Sequence, residues 1–189
     1  MSESKAIDIS ILDEKNSDTI SYSHAYALLL TQAGKNFGPY TNFEKENKLI
    51  VPYSVIKKAK DAKNMMAKEI YILSGERPDK IASIRSSLNL WGFSSYLDYI
   101  YTISELSFLE GLIPVLDVGI LAPSELIKLQ EIAGILCVHL HNVTDLNLIK
   151  ENPDYYNQKQ ELRLKMIEWA GKLNFNVKVY LLSQNKETV

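Results

Sequence analysis

The chain is 189 residues long with 46% apolar residues and a formal net charge of −2. That is enough for one compact domain with a real core, and the absence of a basic excess argues against nucleic acid as a partner. One cysteine, Cys137, excludes an internal disulfide framework. Residues 1–20 are polar and mixed in charge, without the apolar centre of a signal peptide, and no apolar run reaches the roughly 18 residues of a membrane helix. A cytoplasmic protein with no membrane contact is expected, with a single folded domain over residues 21–189.

Strand and helix patterns alternate along the chain. Ala25–Thr31 reads as a short buried strand. Ser54 is placed to cap a helix running to about Ala67, with Val55, Ile56, Ala59, Ala62 and Met66 at helical spacing. Its lysines, Lys57, Lys58, Lys60 and Lys63, continue to Lys68 but alternate with Asp61 and Glu69, which predicts a solvated face and not a phosphate site. Glu69–Ser74 is a strand closed by Gly75. Pro78 suits the first turn of the next helix, with Ile81, Ile84 and Leu88 inward. Ser94 is placed to cap a helix over Ser95–Glu110, ended by Gly111. Ile113–Gly119 is a strand, Pro123–Glu131 a helix, Gly134–His141 a strand, Gln158–Leu173 an amphipathic helix and Asn176–Ser183 a fifth strand.

Strand and helix repeated in this way imply an α/β fold with parallel pairing and crossover helices. An eight-stranded barrel takes about 250 residues. The expectation is therefore a partial TIM-type barrel of about five parallel strands, with open edges and an apolar inner face in need of a cover.

Several residues invite a chemical reading. Cys137, His139 and His141 alternate on one strand and so point to one face, a possible zinc set lacking an evident fourth ligand. Ordinary packing is the expected reading, and no metal is assigned. His24 stands alone. Tyr96 and Tyr99 share a helix side, which suggests packing more than ligand stacking. No nucleophile–base pair, P-loop or Rossmann fingerprint is present.

Four stretches, in order, resemble one family. Thr31-Gln32-Ala33-Gly34-Lys35-Asn36-Phe37-Gly38-Pro39-Tyr40-Thr41-Asn42-Phe43 is similar to T-N-x-C-R-N-R-C-G-Y-C-T-F. Ser74–Asp79 (SGERPD) is similar to a G-E-R-P segment. Gly111–Leu121 (GLIPVLDVGIL) is similar to G-L-L-P-H-T-N-P-G-V-L. Arg163–Thr188 is similar to a segment built on A-G-K-L, which is intact at Ala170–Leu173, and ending in G-I-G-E-T. These motifs resemble the N-terminal half of the radical-SAM deazaflavin (FO) synthases over residues 20–188.

The resemblance implies a radical-SAM-like half barrel. It also implies that the three cluster cysteines fall on Gly34, Gly38 and Thr41, and that H-T-N-P becomes Val115, Leu116, Asp117 and Val118. The G-I-G-E-T end becomes Gln184, Asn185, Lys186, Glu187 and Thr188. The family uses an iron–sulfur cluster and S-adenosylmethionine. Glycine has no ligand atom and a threonine hydroxyl replaces a soft thiolate poorly, so no cofactor and no catalytic residue are expected here. Tyr40, Gly75 and Glu76 are the remnants of the S-adenosylmethionine pocket. The expected role is a non-catalytic relative tied to deazaflavin biosynthesis, as partner or regulator. A binding module for S-adenosylmethionine or a nucleoside, and a decayed or truncated enzyme, remain as alternatives. A homodimer or a complex with a complete radical-SAM barrel protein is the expected assembly, because an open half barrel would leave its inner face uncovered.

Overall fold

The computed structural model describes residues 7–8, 24–30, 48–140 and 153–180. Gly34, Gly38, Tyr40, Thr41, His141 and residues 184–188 lie outside them, as does the side chain of His24. The elements in chain order are β1 (Ile7–Asp8), β2 (His24–Leu29), α1 (Pro52–Asn64), β3 (Glu69–Leu73) and a 3-10 turn (Pro78–Lys80). There follow α2 (Ala82–Leu90), α3 (Tyr96–Leu109), β4 (Ile113–Asp117), α4 (Pro123–Gln130), β5 (Ile135–His139), α5 (Pro153–Lys172) and β6 (Asn176–Tyr180). No helix among the described residues is long and apolar enough to cross a membrane.

The six strands form one sheet in the order β1 to β6. Strands β2 to β6 are parallel, and β1 adds antiparallel to β2, a strand that the polarity of the N-terminal segment hides. The arrangement is a partial TIM-type barrel of five parallel strands with alternating helices. Alternation sends Ile70, Ile72, Leu116, Leu136 and Val138 to the helix-covered side, where they join Val55, Ala59, Ile100, Ile103, Leu126, Leu129, Met166 and Ala170 in one core.

Local chemistry accounts for the helix limits. Pro52 occupies the first turn of α1, so the helix starts before Ser54, and Val51 is its N-cap. Met66 lies past the end of α1 at φ 61°, exposed, and is not an inward residue. Pro78 opens the 3-10 turn, and α2 begins only after the extended Ile81. Ser95, not Ser94, caps α3 by accepting from the Asp98 amide at 3.0 Å. The lysine of α4, Lys128, bonds Asp98, and this bond with those from Ser94 and Ser95 lowers the Asp98 pKa to about 2. Gly111 ends α3 at φ 87°, where a side chain would be strained.

The other sheet face carries Ala25, Tyr71, Leu73, Val115 and Cys137, none more than 8% exposed. The inner face expected to need a cover therefore has these side chains buried within the single chain. Lys178 of β6 reaches both Glu69 Oε2 and the Tyr71 hydroxyl of β3, each at 2.8 Å. β3 and β6 are three strand spacings apart, about 14 Å on a flat sheet. A bridge across them on one face means that the sheet curls, with this face inside the curve.

Candidate functional site

In parallel α/β barrels ligands are met at the C-terminal ends of the strands. Here those ends bring together Ser74 and Glu76 after β3, Asp117 at the end of β4, His139 at the end of β5 and Tyr180 at the end of β6. Asp117 is 6% exposed, and its Oδ2 lies 2.8 Å from His139 Nε2. In the tautomer that donates from Nε2 to this carboxylate, Nδ1 is an acceptor. Nδ1 is buried and has no hydrogen-bond partner. The imidazole stacks on the Tyr180 ring, with centroids 4.8 Å apart and planes 13° from parallel.

Deeper in the curve, Lys178 bridges Glu69 and Tyr71 and lies 5.2 Å from the Tyr71 ring centre. Burial pushes the Tyr71 phenol up to about 12, despite the opposing hydrogen bond from Tyr180. Burial also raises the Tyr180 phenol, reinforced by its bond with Tyr71. Cys137 shares this face, as the alternation of β5 predicts. Burial, and then the Asp117 carboxylate, push its thiol up to about 12. No group of three His, Cys, Asp or Glu that would hold a metal ion occurs among the described residues.

Gly75 and Glu76 form the turn after β3. Glu76 is not an open clamp for an ammonium group: Lys159 of α5 bonds its Oε1, and Arg163 Nη2 lies 3.8 Å from its Oε2. Gly119 presses on this turn. It sits at φ 82°, and a Cβ there would approach the Glu76 Cα to 3.1 Å. The GER turn and the loop after β4 are thus packed as one unit, with Arg77 in the left-handed region at φ 51°. Tyr96 and Tyr99 are core residues, as their spacing predicts: both are buried and stack at 6.1 Å.

The donor set does not fit the iron–sulfur cluster that the resemblance implies. Thiolates hold such a cluster, and these 189 residues supply a single thiol, buried and kept protonated. The sequence reading missed Asp117 as the partner of His139, and Lys159 and Arg163 as partners of Glu76. The one available signal was the replacement of an expected asparagine by Asp117.

No protein-family model matches the chain. Among curated proteins it is 29% identical over 155 residues to the 7,8-didemethyl-8-hydroxy-5-deazariboflavin synthase of Archaeoglobus fulgidus, covering 82% of this chain and 47% of that protein. It is 28% identical over 177 residues to the synthase of the same name from Methanothermobacter thermautotrophicus, covering 90% and 53%. With the Methanococcus aeolicus synthase it shares 31% over 164 residues, covering 84% and 45%. The chain spans about half the length of the curated relatives it matches. Over most of its length, then, this curled half barrel with its single cysteine resembles about half of a 7,8-didemethyl-8-hydroxy-5-deazariboflavin synthase.

Proposed function

We propose that the chain is a non-catalytic relative of the deazaflavin synthases, acting in deazaflavin cofactor biosynthesis as partner or regulator of a complete enzyme. What supports this reading is the donor set: the sequence holds a single thiol, and it is buried, where the resemblance implies three cluster cysteines. Glu76, held by Lys159 and Arg163, is likewise committed to the scaffold. A partner would find two surfaces. β6 pairs only with β5 among the described residues, leaving its outer edge for another strand. At the opposite ends of the strands, Met65, Met66, Phe108, Leu109 and Ile113 are all exposed. The test is co-expression with a complete deazaflavin synthase from the same host, followed by light scattering. The reading predicts a stable complex, or a homodimer that exchanges into one, together with altered turnover of the synthase. A monomer that neither binds the synthase nor changes its turnover contradicts it.

A second reading, a small-molecule binding module, is favoured by the Asp117–His139 pair. A buried imidazole nitrogen without a partner is costly unless a ligand or water donates to it.

A further inference from the structure

Two adjoining hollows, of about 50 and 310 Å³, open on either side of Asp79 and Tyr96, where the 3-10 turn, α2 and the start of α3 meet. They share no residue with the ion pairs of Glu76 itself or with the Asp117–His139 pair, while Arg77 and Glu125, paired with each other at 2.6 Å, line the smaller one. Asp79 Oδ2 takes the Arg77 guanidinium at 3.1 Å, but its Oδ1 is buried with no partner. The Tyr96 hydroxyl is buried and unpartnered as well. The Ser74 hydroxyl donates to the Gly75 carbonyl at 3.2 Å and is also the group close enough to bond the Tyr96 phenol, which leaves Asp79 Oδ1 as the acceptor most in need of a donor. A carboxylate oxygen is an acceptor only, so a buried one calls for a donor.

The charges around the larger hollow are of the opposite kind. Lys80 and Arg85 line it, exposed, and neither makes an ion pair among the described residues. Asp98, close by, is already neutralised by Lys128. Leu88 and Phe93 supply an apolar wall. A half-satisfied carboxylate at depth, two cations at the mouth without an ion pair among the described residues, and an apolar wall between them match a short molecule charged at both ends.

We propose that this hollow binds a compact zwitterion of the α-amino acid type. Its ammonium group donates to Asp79 Oδ1 and the Tyr96 hydroxyl, its carboxylate meets Lys80 and Arg85, and its apolar side chain lies on Leu88 and Phe93. The smaller hollow has room for one ammonium group and little more. The site does not depend on the partner reading, because it uses neither the β6 edge nor the exposed apolar ends of α1 and α3.

The test is a titration of the full chain with L-leucine and L-phenylalanine, followed by the backbone amide resonances of Arg85, Ser94 and Ser95. Saturable shifts are expected. Blocking the amine as N-acetyl-L-leucine, or the acid as L-leucinamide, should each weaken binding by about tenfold, since each removes one charged contact. Asp79→Asn should weaken L-leucine by a similar factor. Arg85→Gln, at an exposed position that tolerates change, should weaken L-leucine while leaving L-leucinamide unaffected. Absence of saturable shifts at about 10 mM ligand, above the millimolar affinities of weak small-molecule sites, overturns the proposal. So does equal binding of the N-acetyl form, which would mean that the wall alone retains the ligand.

Discussion

Replacing Tyr99 with alanine should remove about 4 kcal/mol of stability, in line with the loss of other large buried aromatic side chains. Tyr99 is fully buried on α3, and its ring meets Trp91 at 6.2 Å, Phe93 edge-on at 5.4 Å and Tyr96 at 6.1 Å. Its hydroxyl donates to the Ile50 carbonyl at 2.7 Å, tying α3 to the segment that leads into α1. Truncation leaves a ring-sized cavity and an unpaired carbonyl. A domain has only about 5–15 kcal/mol in hand, so the variant should unfold at much lower urea. Tyr99→Phe separates the two contributions, because it keeps the ring and loses only the hydrogen bond, at about 1 kcal/mol. Urea titration of both variants is the measurement. An alanine variant within 1 kcal/mol of the parent, roughly the hydroxyl's share alone, would mean that this aromatic cluster is not the anchor the packing implies.

Cys137 should be nearly inert to an aromatic disulfide reagent while the chain is folded. A thiol moved from its usual 9.0 to about 12 has roughly a thousandfold less thiolate at pH 8, and the thiolate is the reacting species. Burial on the inner sheet face slows access further. The same shift has a stability sign. The unfolded thiol ionises above pH 9 while the folded one stays protonated, so the contribution of Cys137 is complete below pH 9 and is lost as pH rises towards 12. The reaction rates of native and urea-unfolded chain at pH 8 decide the point. A native rate within about tenfold of the unfolded one, two orders short of the expected thiolate deficit, contradicts the buried placement.

The alternation of apolar strands and amphipathic helices was legible from period alone, and so was the core role of Ile84, Leu88, Tyr96 and Tyr99. Boundaries were less so. Ser54 is a good capping residue, but Pro52 two positions earlier starts the helix, and a side-chain preference cannot outweigh a proline already set for the first turn. β1 was invisible, because two residues paired to an edge leave no periodic trace. The chemistry of the inner face was hidden for a related reason. Counting apolar side chains on AYALLLT and EIYILS ignores Lys178 and Glu69, which reach across the curve and meet only when the sheet bends. At the site, period two put Cys137 and His139 on one face. The Asp117 partner of His139 comes from the neighbouring parallel strand, joined through a crossover helix, so the pairing lies far apart in sequence. The same distance in sequence hid Lys159 and Arg163 from Glu76.

The absence of a self-held cluster is tested most directly by anaerobic reconstitution with iron and sulfide, followed by desalting and metal analysis. With Cys137 the single thiol in the sequence, the chain should come through colourless, with iron far below stoichiometric and no change when Cys137 is replaced by alanine. About four irons per chain, retained with a cluster absorbance band after desalting, would contradict the account, since an iron–sulfur cluster would then be held without the thiolates it requires.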